Sequence, residues 1–196
     1  MLPLYEPLSR IERGVRLLLW RIFFSKEFHS FGNKVKLHRP KRLRGLSKIS
    51  LHDGVCVRDN AWIEVDARFE DAEIVIGANT YIGDDIHIYA VNKIEIGKSV
   101  LIANRVYISD NIHCYEDCSM PILDQEVLFK NSVKIGDGAW LGENVCVIGA
   151  SIGKNSIVGA NSVVVSDVPS YCVVAGVPAK MIKYYDEQVG GWIKCN

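Results

Sequence analysis

I-G-A-N-T-Y from Ile76 and I-G-D-D-I-H from Ile82 are two renderings of one six-residue phrase. It consists of an aliphatic residue, usually a glycine, two polar or small residues, a small or β-branched residue and a free position. A weaker I-Y-A-V-N-K follows from Ile88, and after a slip of two residues the phrase restarts at Ile96 and runs through Ile102 and Ile108. It returns at Ile135, Leu141 and Val147, then at Ile152, Val158 and Val164, so the unit is a triplet of phrases. A period of six matches neither the 3.6 of an amphipathic helix nor the two of a lone strand. The chain must turn a corner every six residues. The pattern predicts an all-β solenoid, a three-sided coil whose interior is a stacked ladder of Ile, Leu and Val.

Gly77, Gly83, Gly97, Gly136, Gly142, Gly153 and Gly159 each follow the aliphatic residue, where a side chain would crowd the corner. They are read as shaping the coil. No G-x-G-x-x-G or G-K-[ST] context supports a phosphate-cradling loop.

The 196 residues are 48% hydrophobic and can bury a substantial core. Formal charge is zero, which removes any general electrostatic case for nucleic acid. Six cysteines, at 56, 114, 118, 146, 172 and 195, have neither C-x-x-C pairing nor the density of a disulfide-stapled domain, so a reducing cytoplasm is expected. No secretory signal and no apolar run of membrane-spanning length is present.

Residues 1–45 read as a helical, basic segment. Val15 to Phe24 is V-R-L-L-L-W-R-I-F-F, with Arg10 and Arg13 before it and Lys34, Lys36, Arg39, Lys41, Arg42 and Arg44 after it. Such a helix suits an anionic membrane surface, giving peripheral association at the inner face through residues 10–44. The alternative is a cap, with Ile11, Val15, Leu18, Leu19 and Ile22 packed on the open end of the coil. The coil is assigned to residues 46–175, with a degenerate six-step already in Leu51, Val57, Ile63 and Phe69. From Cys114 to Asn131 the phase is lost, and 114–131 is read as an expelled loop. Residues 176–196 form a tail with a short closing helix from Lys180 to Gln188.

Long loops in compact folds are commonly functional. Of the histidines at 29, 38, 52, 87 and 113, only His113 stands where regular coil gives way to the loop. A neutral imidazole, with an ordinary pKa near ~6.5, accepts a proton at physiological pH.

The stretches I-A-N-R-V-Y-I-S-D-N-I-H from Ile102, I-G-D-G-A-W-L-G-E-N-V from Ile135 and V-V-A-G-V-P-A-K-M-I-K from Val173 resemble the hexapeptide-repeat acyltransferases. The likeness is to their sugar O-acetyltransferase branch, galactoside, maltose and lipopolysaccharide O-acetyltransferases, over about 57–183. It implies a left-handed parallel β-helix, a homotrimer and acetyl-CoA as co-substrate, lying between coils in a site shared by two subunits, with no metal. His113 falls on the family's catalytic base. Asn92 lies near an asparagine that steadies the acceptor, and Asp84 and Asp85, with His87, are candidates to reach the acceptor pocket. Trp140, Glu143, Ala160, Val165, Ser166, Lys180 and Lys183 match positions along the acetyl-CoA groove. The resemblance implies transfer to a hydroxyl, with serine and free disaccharides among the possible acceptors, and the basic, aromatic leader points to a sugar in a surface-polysaccharide precursor. Asp110, Glu116 and Asp117 are open candidates for orienting His113.

Two other activities fit the same fold. One is N-acetylation of an amino sugar. The other resembles the γ-class carbonic anhydrases, with zinc held by His87, His113 and Cys118.

Overall fold

The computed structural model describes the backbone of residues 5–195, and the side chains of Glu12 and of Gly14 onward. Three parallel sheets are entered in rotation, so each triplet of phrases is one circuit. Ile76, Ile96, Ile135 and Ile152 stack in register in the first sheet. Ile82, Ile102, Leu141 and Val158 do so in the second, and Ile88, Ile108, Val147 and Val164 in the third. All twelve are at most 1% exposed. Burying each such side chain contributes roughly 1.5–3 kcal/mol, so the ladder is the main cohesive element.

The corners explain the rest of the phrase. Its fourth residue has a left-handed backbone, with φ near 59° at Asn79, 56° at Asn144 and 58° at Asn161. Asn and Asp tolerate this region best, which accounts for the polar residues there. The glycine in the second position answers a different constraint. A Cβ on Gly77 would lie 2.5 Å from the carbonyl carbon of Gly97, and one on Gly142 would lie 2.7 Å from the Ala160 nitrogen. The backbone of the circuit above occupies that space.

The sheets begin earlier than residue 46. Ser30–Phe31, Lys36–Leu37 and Arg42–Arg44 already form a first circuit, in register with Ser50–Leu51, Cys56–Val57 and Trp62–Glu64. Its phrases carry Lys36 where later circuits carry Cys56, Tyr81, Leu101 and Trp140, and Arg42 where they carry Trp62, His87 and Tyr107, so the six-step is masked. The helical reading of residues 1–45 therefore holds only for Tyr5–Phe24 and a short 3-10 turn at Ser25–Glu27. Several basic residues assigned to a leader instead pair across circuits: Arg39 with Asp59 at 3.1 Å, Arg42 with Glu64 at 3.1 Å and Arg44 with Glu64 at 3.7 Å.

The cap also differs from expectation. Trp20 and Phe28 pack on the core at the first circuit, where Phe28 meets Phe31 at 5.1 Å, while Val15, Leu18, Leu19 and Ile22 are exposed. The side chains of Arg10, Ile11 and Arg13 lie outside the described residues. At the other end the expected helix is a strand. Lys180–Asp186 pairs antiparallel with Cys172–Ala175 and then with Gly191–Lys194, extending the second sheet. Ile182, Tyr184 and Tyr185 favour extended backbone, and the edge of Cys172–Ala175 offers unpaired donors and acceptors that a helix would leave open.

Candidate active site

The residue before the third aliphatic of each triplet points out of the third sheet. Arg42, Trp62, His87 and Tyr107 thus stack in one column. The Arg42 guanidinium is 4.7 Å from the Trp62 ring, His87 stacks on Trp62 at 4.3 Å, and Tyr107 lies 5.1 Å from His87. Trp62 Nε1 donates to Glu64 at 2.8 Å. The buried Nε2 of His87 has no partner among the described residues. Burial pushes the His87 pKa down, which favours the neutral ring.

Beside this column, Tyr89 donates its hydroxyl to Asp66 at 2.6 Å, and Arg68 clamps the same carboxylate with a shortest contact of 2.6 Å. The Arg68 hydrogen bonds, then that of Tyr89, hold Asp66 well below the usual carboxylate range against the opposing cost of burial. Burial first, then Asp66, pushes Tyr89 up to about 12, so its proton is retained.

Asp110 directs the exit of the loop. It is fully buried, and its carboxylate accepts from Val91 N–H at 2.9 Å, Asn92 N–H at 2.7 Å and Asn111 Nδ2 at 2.9 Å. Its carbonyl accepts from Lys130 N–H at 2.8 Å, so one residue pins the circuit below and the returning chain. Leaving from this anchor, Asn111–His113 pairs antiparallel with Val127–Phe129. The expelled segment is thus a hairpin rooted at Asn111, three residues before the expected start, because the chain stays extended as it leaves the sheet.

His113 stands exposed on this hairpin, opposite Val127, with no side-chain hydrogen bond among the described residues. It lines a hollow of about 360 Å³ with Trp62, Arg68, His87, Tyr89 and Tyr107. None of the three candidate carboxylates orients it. Asp110 is committed as above, Asp117 accepts from the N–H and hydroxyl of Ser119 at 2.8 and 2.6 Å, and Glu116 makes no side-chain bond among the described residues. Of the predicted acceptor-side residues, Asn92 sits on the turn held by Asp110, its side chain 3.5 Å from Ser132 Oγ. Asp84 accepts from Asp59 N–H at 2.9 Å at the opposite corner, and Asp85 is an exposed left-handed turn residue there. None of the three lines the hollow, whereas His87 does.

The predicted donor-side residues gather elsewhere. Trp140, Ile157, Val173 and Lys183 are in register on the outer face of the second sheet, and Lys180 pairs opposite Ala175. Glu143 and Ala160 occupy the next corner, with Glu143 bound by Arg105 at 2.6 Å. Val165 and Ser166 are exposed just after the last strand of the third sheet. At this corner a regular pattern stops. Asp59 N–H is met by Asp84, Asp84 N–H by Asn104 at 2.8 Å and Asn104 N–H by Glu143 at 3.3 Å, each from the circuit above. Above Glu143 stands Ala160, which has no acceptor. The N–H groups of Glu143 and Ala160 therefore have no partner among the described residues.

Sequence reading did not single out Trp62, Arg68, Tyr89 or Tyr107. For Trp62 and Tyr107 the signal was present, since the position before the third aliphatic is always on one wall, whereas nothing in the repeat marks Arg68 or Tyr89. A larger hollow, about 700 Å³, follows the first sheet past Lys98, Lys134 and Lys154 and contains none of the predicted residues. That hollow carries the carboxylates of Glu95, Asp137 and Asp167 but no histidine, whereas the smaller one brings His87 and His113 beside Tyr89 and Tyr107, so the smaller hollow is the better candidate. The zinc set is not assembled: among the described residues no three His, Cys, Asp or Glu side chains are grouped for a metal, and the Cys118 thiol contacts Glu116 O at 4.0 Å.

A family profile described as the hexapeptide repeat of succinyl-transferase matches residues 132–166. The chain is 37% identical over 152 residues to the Escherichia coli protein named "Putative lipopolysaccharide biosynthesis O-acetyl transferase WbbJ", covering 74% of this chain and 77% of that one. It is 32% identical to galactoside O-acetyltransferase of the same organism, covering 67% and 64%. Among solved structures it resembles the N-acyltransferase AntD of Bacillus cereus, in complex with dTDP and 3-hydroxybutyryl-CoA, with a TM-score of 0.70 at 19% identity over 84% of this chain and 87% of that one.

Proposed function

The chain belongs to the hexapeptide-repeat acyltransferases, and from that premise we propose that it transfers an acetyl group from acetyl-CoA to a sugar hydroxyl of a surface-polysaccharide precursor. It is an acyltransferase whose three sheets, in this reading, wind as a left-handed parallel β-helix. The observation that carries the assignment is an exposed, uncommitted His113 projecting from the expelled hairpin over a hollow open to an acceptor. His113 takes the proton of the acceptor hydroxyl as that oxygen attacks the thioester carbonyl. The C–S bond then breaks, an ester forms, and CoA leaves as a thiolate that needs no strong general acid.

The residues of the second sheet fit an acyl-CoA. Trp140, Ile157 and Val173 offer an apolar track for the pantetheine arm, with Ala160, Val165 and Ser166 at its flank, and Lys180 and Lys183 bring positive charge for phosphates. The two free N–H groups at Glu143 and Ala160 suit a developing oxyanion. This track and the His113 hollow share no residue, which supports a homotrimer in which the base of one subunit faces the donor track of the next. The basic, apolar segment within residues 10–44 would bring the enzyme to the inner membrane surface, which suits a lipid-linked acceptor.

Acetyl-CoA at ~100 Kd should stabilise the protein by about 2.7 kcal/mol. An unchanged melting temperature at saturating acetyl-CoA would remove the donor site. Labelled acetyl-CoA offered with nucleotide sugars and glycans then identifies the acceptor. Transfer to an amino sugar alone would replace the O-acetyl reading by the N-acetyl one, which the fold shared with AntD also accommodates.

A further inference from the structure

The helix Tyr5–Phe24 is apolar on two opposite sides. One side faces the body of the protein: Trp20 packs on the core and its ring meets Phe24 at 4.7 Å. The other side carries Val15, Leu18, Leu19, Ile22 and Phe23, spaced along one stripe and between 45% and 65% exposed. A surface helix needs only one apolar face to dock. The second stripe, therefore, faces something other than this fold.

Cations border that stripe. Leu18 belongs both to it and to a hollow of about 540 Å³ lined by Leu17, Arg21, Lys34, Val35 and Lys36. Lys34 and Lys36 are exposed, and Arg21 reaches Asn33 at 3.2 Å, so three positive groups converge at the foot of an apolar ridge. Lys26 is exposed at the end of the helix. The nearby acids do not cancel this charge: Glu12 pairs with Arg16 at 2.9 Å, and Asp53, which accepts from the Asn33 N–H at 2.7 Å, and the exposed Glu27 set two carboxylates against Arg21, Lys26, Lys34 and Lys36.

We propose that this ridge and its basic hollow form an anionic-lipid site, with the Val15–Phe23 stripe set among acyl chains and phosphate headgroups held by Arg21, Lys34 and Lys36. The proposal deepens the membrane part of the reading above and does not depend on the transfer chemistry. It also narrows the footprint. Arg39, Arg42 and Arg44 are engaged by Asp59 and Glu64, leaving the helix and the first turn of the sheets as the contact. Among the described residues no helix is long and apolar enough to cross a membrane, so the helix lies in the interface plane. Charge favours a lipid surface over a second copy of the chain, which would bring Arg21, Lys34 and Lys36 toward their own counterparts across an apolar contact.

The test is flotation of the full chain with phosphatidylcholine vesicles, with and without one third phosphatidylglycerol. The wild type should float with the anionic vesicles and far less with the neutral ones. Combining Lys34→Asn, which tolerates the left-handed backbone at that position, with Lys36→Gln should lower anionic partition about fivefold per charge. Ile22→Ser with Phe23→Ser should lower partition on both kinds of vesicle, and both positions are exposed enough to leave the fold intact. Equal partition on the two vesicle types would overturn the proposal. So would a wild type that stays in solution while the Ile22 and Phe23 variant dissociates an oligomer. Acetyl transfer measured without lipid separates the two readings: transfer without flotation removes only the lipid site, and flotation without transfer removes only the transferase.

Discussion

Two corners of the same coil are built from the same phrase and end differently. At Asp59, Asp84 and Asn104 each backbone N–H is met by a side chain from the circuit above, and the corner is closed. Above Glu143 stands Ala160, which offers no side-chain acceptor, and the N–H groups of both residues have no partner among the described residues. The lesson is that this repeat closes its corners by default and leaves backbone donors open where the overhanging acceptor is missing, the edge proposed above for the acyl donor. The expelled hairpin is the counterpart, an insertion that supplies His113 where the regular corner would supply only turn residues.

The sharpest way to break this comparison is to remove the base. His113→Ala should lower turnover by roughly 10²–10⁴ while the acetyl-CoA stabilisation persists. Unchanged turnover would return the hairpin to a structural role. If the proposed trimer pairs the base of one subunit with the donor track of the next, mixing that variant with one carrying Trp140→Ala should restore part of the activity, measured after co-refolding. No recovery at any ratio would mean that base and donor track act within one chain.

Asp110 ties the hairpin to the coil. Asp110→Ala strips the partner from three donors and should cost about 3 kcal/mol in denaturant unfolding. A loss below about 0.5 kcal/mol would mean that water replaces the carboxylate there.

Closing the open corner is a smaller change in the opposite direction. Ala160→Asn restores an acceptor above Glu143, so stability should rise by about 1 kcal/mol while acetyl-CoA affinity falls roughly tenfold. Tighter binding in that variant would show that the free N–H groups are not used.

The smallest effect is one of pH. Asp66 has a folded pKa below its unfolded value near ~3.9, so its contribution is present above that pH and is lost as pH falls through the folded value. Arg68→Gln removes the main cause. Its melting temperature should lie below the wild type at pH ~6 and converge with it as the carboxylate becomes protonated in strong acid. A gap that stays constant with pH would assign the loss to packing.

Much of this architecture could be read from residues alone because the buried positions repeat with a fixed step. Leu51, Val57 and Ile63 were assigned as part of the coil and are buried, although their phrases are degenerate, whereas Phe69, assigned with them, lies outside the strands and is only half-buried. The first circuit escaped notice because Phe31, Leu37 and Leu43 are separated mainly by basic and turn residues, and of the three only Phe31 is followed by a glycine, Gly32. Lys180–Asp186 was misread for another reason. Its conformation is decided by the open edge of Cys172–Ala175, a partner that adjacent sequence does not reveal. For the site, the position of His113 at the break was legible, whereas the roles of Asp84 and Asp85 were not, since corner carboxylates and acceptor ligands look alike in a string of letters.

The sequence by itself determined the period, the apolar ladder, the close-packed glycines and the break that carries His113, because each depends on spacing along the chain. The tertiary structure alone decided which N–H groups are capped, that Asp110 anchors both ends of the hairpin, and that Trp62, His87 and Tyr107 share one wall with Arg68 and Tyr89 beside it. Those relations join residues about twenty or more positions apart, brought together by stacking one circuit on the next.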